Sequence, residues 1–527
     1  MNDEKTSLKD WLTMVEKLRY APQWASEGPV PVEMTQTHIS VVLLGRERVL
    51  KLKKPVNFGF LDYSTLEQRR IACEAEVRLN RRLCEETYLG VQPIGQVDGV
   101  PQLSDAGSVI DYAVLMKRLP ADHMLDEMVR RDSVTEANID RVAHRLSEFH
   151  RTARRGPEID AWGTREQTRR NWDENFTQMS SFVGRTIETA AYQLLQDWVE
   201  QWLARHRAHL DERIRGGRIV DGHGDVRGES VCVINGICIF DCIEFNDRFR
   251  CCDVASEVAF LAMDLDSLGR PDLGYYVSEC YAAHAADAGL FRLLPFYRCY
   301  RAYVRGKVLS FRLDEAEFSA ADKSRAAERA AGYFELARRY ATPLRGPTVV
   351  VVMGLASTGK TSMARAVAGE LGLRVVSTDA VRQELFGTEK GVADYGQGAY
   401  RPEANQRTYQ RLVERGRGLT VEDGGVVLDG TFLRDEDRMG VRHMASSAGA
   451  AVRWIECELP ADLVRQRLER RRQRHEGLSD ATWDTYLHQR DEYVARRGRQ
   501  EDRHLVVDMT QSLPTCARRA TDWLRGS

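Results

Sequence analysis

The chain has 527 residues, of which 43% are hydrophobic and 29% charged, and its formal net charge is −2. This length predicts more than one domain, and the near-neutral charge argues against a nucleic-acid or membrane-surface partner. The sequence shows neither a signal-like start nor an apolar run of the ~18 residues that a membrane span needs, and its eleven cysteines predict free, mostly buried thiols, so we expect a cytoplasmic protein.

The first part of the chain begins with extended segments and continues with helical ones. Alternating segments at 39–54 and 91–116 predict strands, and mostly helical sequence runs from 134 to 340 with a short β region at 231–241. A small sheet followed by a helical part is typical of a two-lobed kinase. We therefore predict an N-terminal α+β domain with a protein-kinase-like fold.

A pair of carboxylates is predicted around the short β region. Asn235-Gly236 separates two apolar runs, which is the strongest short signal for a hairpin. Such a hairpin returns Asp241 towards the start of its first strand and so towards Asp225, in the motif His223-Gly224-Asp225. Two carboxylates placed in this way suit phosphoryl transfer, because one can orient an acceptor hydroxyl while the other binds Mg²⁺.

A domain boundary is predicted at 341–347, where two prolines and a glycine follow a helical pattern. It divides the chain into domains 1–343 and 344–527. In the second domain, strands alternate with helices, which predicts an α/β fold with a parallel sheet. The predicted strands of this domain are 348–353, 373–377, 425–429, 451–457 and 504–508.

Residues 354–361 form a complete P-loop motif, G-x-x-x-x-G-K-[ST], between a β-branched run and a helix-prone segment. In this context the backbone N–H groups and the helix N-terminus bind the phosphates of ATP, the lysine reaches the β- and γ-phosphates, and the hydroxyl after it binds Mg²⁺. The predicted nucleotide-binding residues are Gly354, Ser357, Thr358, Gly359, Lys360, Thr361 and Ser362.

Three further features are predicted around the P-loop. Asp429 ends an apolar strand, where it can support Mg²⁺ or cap the next turn. Asp379 and Arg382 share the first turn of a helix, where they can activate and position an acceptor or serve as an N-cap with a surface arginine. The arginine-rich segment 465–475 can close over the triphosphate or form a solvated helix face.

These features resemble the small P-loop kinases, such as polynucleotide kinase, zeta toxins, chloramphenicol phosphotransferase and gluconate kinase, over roughly 347–510. The resemblance implies that Asp379 is the base for the acceptor hydroxyl and that Arg382 positions the substrate. It also implies that Arg467 and Arg471 act as lid arginines.

The N-terminal part resembles aminoglycoside phosphotransferase-like kinases, with Asp225 in the catalytic loop, Asp241 as metal ligand and Asp253 as a structural residue. The resemblance implies an ATP-phosphate lysine in the strand containing Lys51 and Lys53, with Glu76 as its helix partner and a hinge at 116–119. Alternation puts both lysines on one face, and the family register favours Lys51. Ser230 stands where the family has a metal-binding Asn.

Together the two parts resemble a bacterial family of bifunctional aminoglycoside phosphotransferase-like and P-loop ATP-binding proteins. The resemblance implies a kinase that uses ATP and Mg²⁺ to phosphorylate a hydroxyl of a small-molecule acceptor, with catalysis in the C-terminal domain. Two alternatives remain open, an ATP-binding regulatory module with a degenerate N-terminal kinase domain and a polynucleotide 5′-hydroxyl kinase. The sequence identifies neither the acceptor nor the oligomeric state.

Overall fold

The structure is a computed structural model, and it describes residues 7–24, 31–59, 61–315, 318–387, 401–474, 482–493 and 503–526. By their contacts the residues form two compact units. Unit 1 contains residues 1–134, 145–168 and 208–257, and unit 2 contains residues 135–144, 169–207 and 258–527. The division of the sequence into domains 1–343 and 344–527 remains a prediction.

The strands, numbered in chain order, are β1 Glu33–Gln36, β2 Ser40–Leu44, β3 Arg48–Lys53, β4 Tyr88–Val97, β5 Val100–Gln102, β6 Ser108–Lys117, β7 Ile219–Asp221, β8 Val231–Val233, β9 Ile237–Ile239, β10 Cys251–Asp253, β11 Thr348–Met353, β12 Val375–Ser377, β13 Gly425–Asp429, β14 Ala451–Glu458 and β15 His504–Asp508. The helices are α1 Leu8–Leu18, α2 Leu66–Cys84, α3 Leu125–Arg130, α4 Glu136–Thr152, α5 Pro157–Asp160, α6 Arg165–Met179, α7 Thr189–Arg205, α8 Arg207–Arg215, α9 Asp247–Arg250, α10 Val254–Ser267, α11 Pro271–His284, α12 Leu290–Phe311, α13 Ala320–Tyr340, α14 Lys360–Leu371, α15 Thr378–Phe386, α16 Pro402–Asp423, α17 Asp435–Ser447, α18 Ala461–Arg474, α19 Trp483–Glu492 and α20 Leu513–Gly526. Among the described residues, none of these helices combines the length and the apolar character required to cross a membrane.

Unit 1 is organised around a six-stranded antiparallel sheet with the strand order β1-β2-β3-β6-β4-β5. Helix α2 packs on this sheet, and a capping box between Thr65 and Gln68 fixes its start. Val49, Cys73 and Val114 belong to one buried cluster that joins strand β3, the helix and strand β6. This packing places the polar residues of β3 and α2 beside each other.

The predicted hairpin is present, and its loop contains Asn235-Gly236. Strands β8 and β9 pair antiparallel with Val233 opposite Ile237. The loop between them therefore has three residues, and the N–H of Ile234 donates to the carbonyl of Gly236 at 3.1 Å. The pairing confirms the hairpin that Asn235-Gly236 predicts.

Unit 2 contains a five-stranded parallel sheet with the strand order β12-β13-β11-β14-β15, which confirms the predicted α/β fold. The P-loop strand β11 is central and every one of its residues is buried. Because Val352 and Ser377 both pair with Asp429, the carboxyl ends of β11, β12 and β13 meet at one edge. This is the edge at which parallel α/β sheets bind ligands.

Helices of unit 2 that precede the P-loop pack directly on the P-loop helix α14. The guanidinium of Arg298 donates to the carbonyl of Gly369 at 3.2 Å, and the phenol of Tyr275 accepts from the N–H of Val375 at 2.8 Å. Arg365 lies 4.2 Å from the ring of Tyr276 and pairs with Glu136. These contacts hold helix α14 and strand β12 against helices α11 and α12 and against Glu136, all of which lie in unit 2.

The cysteines differ in one respect from the prediction of free thiols. Cys84 and Cys238 form a disulfide, with their Cα atoms 4.7 Å apart. The expectation was wrong for this pair because residues 154 positions apart in the sequence meet only in the folded chain. The remaining nine cysteines are free, and all of them except Cys252 are buried.

Candidate active sites

The P-loop of unit 2 has the backbone that its sequence requires. Gly354 has φ 144°, and a Cβ atom there would lie 2.6 Å from the carbonyl oxygen of Cys457. Ser357 has φ 58° and Gly359, which caps helix α14, has φ 100°. A turn with such residues directs successive N–H groups into one concavity, which suits a phosphate.

The carboxylate of Asp429 and the hydroxyl of Thr361 meet beside this loop. The hydroxyl of Thr361 donates to Oδ2 of Asp429 at 2.8 Å, while the buried Oδ1 of Asp429 has no hydrogen-bond partner among the described residues. Burial raises the pKa of Asp429, and the charge of Lys360 and the bond from Thr361 only partly oppose this. The arrangement is that of a carboxylate prepared for a cation.

Asp379 and Arg382 lie together on the first turn of helix α15, as their spacing predicts. The guanidinium of Arg382 donates to Asp379 at 2.9 Å and to the side chain of Asn405 at 3.1 Å. The N-cap of this helix is Ser377, whose hydroxyl accepts from the N–H of Ala380. Asp379 is therefore not the N-cap, and its side chain is 34% exposed.

The arginine-rich helix α18 contributes one described contact to the loop. The guanidinium of Arg467 donates to the carbonyl oxygens of Thr358 at 3.3 Å and Met509 at 3.1 Å. Burial and the neighbouring Arg470 lower the pKa of Arg467. The side chain of Arg471 lies outside the described residues.

Gln489 is a residue of this site that the sequence does not indicate. Its side-chain oxygen accepts the N–H of Ala356, in the middle of the P-loop, at 2.8 Å. Helix α19 is held in place by Tyr486, which is buried in the core beside the P-loop helix. The two partners lie 133 residues apart, and no local motif surrounds Gln489.

Lys360 is also engaged within the loop. Its ammonium group donates to the carbonyl of Leu355 at 2.8 Å. Lys360, Arg467 and the N–H of Ala356 are thus all satisfied by groups of the protein, and incoming phosphate oxygens would replace these partners.

The N-terminal site of unit 1 is centred on Lys51. Its ammonium group lies 2.9 Å from Glu76 and 2.5 Å from Asp241. The charge of Lys51 lowers the pKa of Asp241, a residue with φ 65° whose side chain is 51% exposed. The structure therefore brings together Lys51, Glu76 and Asp241, the three residues to which the resemblance assigns phosphate and metal binding.

A second lysine of the same strand makes a separate buried cluster. Lys53 pairs with the other oxygen of Glu76 and with Glu244, and the phenol of Tyr63 donates to Glu244 at 2.7 Å. Lys53 is fully buried, whereas Lys51 reaches Asp241. These contacts favour Lys51 as the phosphate lysine.

The His223-Gly224-Asp225 loop is held from beneath by Glu257. This carboxylate accepts hydrogen bonds from the backbone N–H groups of His223 and Gly224 and is hydrogen-bonded to the ring Nε2 of His150. Burial opposes ionisation of Glu257, but these hydrogen bonds and charges hold its pKa at about 2. Burial also lowers the pKa of His223, so its neutral ring donates from Nε2 to the carbonyl of Phe240.

Asp225 forms an ion pair that the sequence does not indicate. Arg227 contacts both of its carboxylate oxygens, at 2.9 and 2.8 Å. The hydroxyl of Ser230 bonds to the backbone of the same loop. Asp253 forms a buried ion pair with Arg213 at 2.7 Å, as expected of a structural residue. The predicted hinge at 116–119 begins at the end of β6.

The residues of the P-loop fit a nucleoside triphosphate with one Mg²⁺. Asp429 offers a buried, unpartnered oxygen, Thr361 a hydroxyl, and Ser357 a buried hydroxyl without a partner among the described residues. Mg²⁺ commonly takes one or two protein ligands and completes its shell with phosphates and water. The described residues contain no cluster of three or more His, Cys, Asp or Glu side chains arranged for a metal.

A family model and curated relatives match this chain. A family model described as "AAA domain" matches residues 349–495. Two curated relatives, "Uncharacterized protein Rv2004c" and "Uncharacterized protein MT2060" of Mycobacterium tuberculosis, are each 33% identical over 460 residues, covering 86% of this chain and 88% of the relative.

Solved structures resemble stretches of the chain at low sequence identity. A sugar kinase from Janibacter is 22% identical, covering 34% of this chain and 94% of its own, with a TM-score of 0.28. A GDP complex of aminoglycoside 2′-phosphotransferase-IIIa is 13% identical, covering 63% of this chain and 99% of its own, with a TM-score of 0.37.

The parallel sheet, the P-loop at the end of β11 and the AAA-domain match define a P-loop nucleotide-binding domain. The chain belongs to the same family as the mycobacterial proteins, because the similarity spans most of both sequences.

Proposed function

We propose that the chain transfers the γ-phosphoryl group of ATP to a hydroxyl of a small-molecule acceptor, with catalysis at the C-terminal P-loop. The observation that carries this proposal is the unpartnered oxygen of Asp429 beside Thr361. A buried carboxylate without a cation is unfavourable unless a ligand supplies one. Mg²⁺ bound with ATP supplies charge neutralisation at the β- and γ-phosphates.

The cationic groups of the site bind the phosphates. Lys360 and Arg467 donate only to carbonyl oxygens among the described residues, so their charges are not neutralised by a carboxylate contact. We propose that both move their hydrogen bonds to phosphate oxygens when ATP binds. Their charge is most valuable as negative charge develops on the transferred group and on ADP.

Asp379 is the proposed base. Its half-exposed carboxylate accepts the proton of the acceptor hydroxyl while the new O–P bond forms, the bond to the β-phosphate oxygen breaks and ADP leaves. Arg382 holds the carboxylate at 2.9 Å and also reaches Asn405, so it fixes the direction in which Asp379 faces. Arg382 is thus the proposed positioning residue of the acceptor side.

Asp379→Asn tests the proposal. The amide keeps the shape and cannot take a proton, so acceptor phosphorylation should fall by ~10²–10⁴-fold while ATP affinity changes little. ADP release across a panel of hydroxyl-bearing metabolites, together with nucleotide binding, provides the measurement. Glu384→Gln on the same helix is the matched control, because Glu384 is exposed and pairs with arginines of α16. An equal loss of ATP affinity in Asp379→Asn would assign Asp379 to the nucleotide site instead.

The contacts of Lys51 favour a second candidate function for unit 1, namely nucleotide binding with a regulatory role. Lys51 has Glu76 and Asp241 as partners, which is the set that holds ATP phosphates in a kinase fold. Nucleotide occupancy of unit 1 without ADP release would support this function. Acceptor-dependent ADP release that survives loss of the P-loop would contradict it.

A further inference from the structure

Helix α2 and the segment that leads to Asp241 are joined by a covalent bond. Cys84 is the last residue of α2, and Cys238 lies in strand β9, shortly before Asp241. The disulfide between them brings their Cα atoms to 4.7 Å, and each residue is 5% exposed. The end of α2 is therefore fixed directly to the strand that precedes Asp241.

The same face of α2 makes a hydrogen bond with this segment. Glu76, Asn80 and Cys84 are spaced by four residues, so they lie on one face of the helix. The side-chain oxygen of Asn80 accepts the N–H of Cys242 at 2.9 Å, and its amide nitrogen donates to the carbonyl of Glu76 at 2.9 Å. The helix face that ends at the disulfide is thus also attached to the residue after Asp241.

A further attachment passes through Lys51. Its ammonium group lies 2.9 Å from Glu76 and 2.5 Å from Asp241, so it links α2 to the same segment. In kinase folds the pair of strand lysine and helix carboxylate must be in place before the phosphates are held, and the position of the helix controls it. A displacement of α2 would therefore move Glu76 and change the position of Lys51 relative to Asp241.

Buried thiols lie beside the disulfide, and they are poor partners for exchange with it. Cys232 is opposite Cys238 in the β8–β9 pairing, and Cys73 belongs to the same buried cluster. Burial raises the pKa of Cys232 to about 11 and that of Cys73 to about 12. Because the thiolate is the attacking species, neither reacts rapidly at neutral pH. The bond must be opened by an external thiol, which can approach at the end of α2, where Glu85 and Glu86 are exposed.

We propose that Cys84 and Cys238 form a reversible redox modification site that controls how firmly α2 is fixed against Asp241. The reductant is a low-molecular-weight thiol, RSH. Its thiolate attacks one sulfur, the S–S bond breaks, the other cysteine leaves as a thiolate that takes a proton, and a mixed disulfide forms. A second RSH releases RSSR, so the protein gains two thiols and two molecules of RSH are oxidised. Oxidation by RSSR is the reverse reaction.

The oxidised chain keeps α2 attached at the disulfide, and the reduced chain loses this attachment. Unit 1 then holds Glu76 and Lys51 less firmly and binds a nucleotide more weakly. The effect on nucleotide binding rests on the nucleotide binding proposed for unit 1, whereas the effect on α2 does not.

The first experiment places the full-length chain in buffers with different ratios of reduced to oxidised glutathione. Alkylation of thiols followed by peptide mass spectrometry measures the fraction of the chain with the disulfide at each ratio. We expect the bond to open and to form again within this range, whereas purely structural disulfides resist reduction by glutathione. A bond that stays intact at every ratio, or one that never forms, would overturn the proposal.

Hydrogen–deuterium exchange then compares the oxidised and reduced chains. The amides of α2 around Asn80 should exchange ~10-fold or more faster after reduction, because the cross-link no longer restricts local opening. Cys84→Ala and Cys238→Ala should each behave as the reduced chain under both conditions. Cys252→Ser, which removes a half-buried thiol of β10, is the control and should respond as the wild type. Equal exchange of α2 in the oxidised and reduced wild-type chains would overturn the proposal, and this comparison needs no variant.

Nucleotide binding provides the functional measurement. In the full-length chain with Lys360→Ala and Thr361→Ala, which together disable the P-loop, AMP-PNP with Mg²⁺ should bind the oxidised form ~5-fold or more tightly than the reduced form. Equilibrium dialysis measures both affinities, and equal affinities would overturn the coupling of the disulfide to the site. If neither form bound AMP-PNP, nucleotide binding by unit 1 would be contradicted. The exchange of α2 would still decide the redox control, so the two proposals fail separately.

Discussion

The two carboxylates predicted to bind a metal have opposite electrostatic surroundings. Asp241 in unit 1 lies 2.5 Å from Lys51, and this charge lowers its pKa. Asp429 in unit 2 is buried with an unpartnered oxygen, and desolvation raises its pKa. The first site is already neutralised by the protein, whereas the second is completed only by a ligand.

This difference indicates how the roles of the two sites can be divided. A carboxylate paired with a lysine is already stabilised in the ligand-free protein. A bound cation therefore adds less stabilisation to such a site. A buried carboxylate without a partner gains a large stabilisation when a cation arrives. The contrast supports the proposed catalysis at the P-loop and the proposed nucleotide binding in unit 1.

The largest expected effect is on the stability of unit 1. Glu76→Ala leaves Lys51 and Lys53 with one carboxylate partner fewer, and both lysines are largely or fully buried. Breaking a buried ion pair by removing one member costs about 3 kcal/mol or more of the free energy of unfolding. Urea denaturation measures it, with Glu74→Ala on the exposed face of α2 as control. An unchanged midpoint would show that the pairs contribute little.

The next effect concerns turnover at the P-loop. Lys360→Ala should reduce kcat by ~10²-fold or more with little change in the folded structure, since the lysine acts on the developing charge of the phosphates. Steady-state ADP release measures the change, and Lys9→Ala on the exposed face of α1 is the control. Full activity in Lys360→Ala would move catalysis to unit 1 and reverse the comparison.

In the ligand-free protein, Asp429→Asn should not lower the free energy of unfolding, whereas Glu76→Ala should lower it. The raised pKa means that the ionised carboxylate disfavours the folded state at pH 7, so the neutral amide should leave the ligand-free chain at least as stable. Mg²⁺-dependent nucleotide binding at the P-loop should nevertheless weaken by about tenfold or more. Thermal unfolding with and without MgATP separates the two effects. A clear loss of ligand-free stability would show that Asp429 is mainly structural.

The pH dependence follows the same contrast. Because the pKa of Asp429 is raised and that of Asp241 lowered, acidification protonates Asp429 first. Cation-dependent nucleotide binding at the P-loop should therefore decline at a higher pH than binding at unit 1. Mn²⁺ titrations between about pH 7 and 5 on chains with one site disabled provide the measurement. If nucleotide binding declined at the same pH in both sites, the opposite pKa shifts of Asp429 and Asp241 would be contradicted.

The smallest effect concerns Gln489. Its side-chain oxygen accepts the hydrogen bond of the Ala356 N–H, with which a phosphate oxygen would have to compete. Gln489→Ala should therefore tighten ATP binding by ~2–5-fold, which corresponds to the net free energy of one hydrogen bond. Gln489→Glu should weaken binding, because a carboxylate repels the phosphates. Calorimetry measures both, and Asp491→Ala, an exposed neighbour, is the control. Weaker binding in Gln489→Ala would show that the side chain holds the nucleotide.

The sequence predicted most closely those features that are local. Strands β11, β13 and β15 have the predicted bounds, because each is a short apolar run before a turn. Asp379 and Arg382 form the predicted pair, since a spacing of three residues places them on one helical face. The hairpin predicted at Asn235-Gly236 is also present, with a loop of three residues between β8 and β9.

The sequence by itself determined the P-loop, its parallel sheet and the carboxylates at the strand ends, since these depend on spacings of a few residues. Only the tertiary structure decided which charges neutralise each other. Lys51 meets Asp241 across 190 residues, and Ala356 meets Gln489 across 133. Such partners are brought together by packing, and their electrostatics depend on burial that no local pattern records. This is why the contrast between Asp241 and Asp429 appears only in the folded chain.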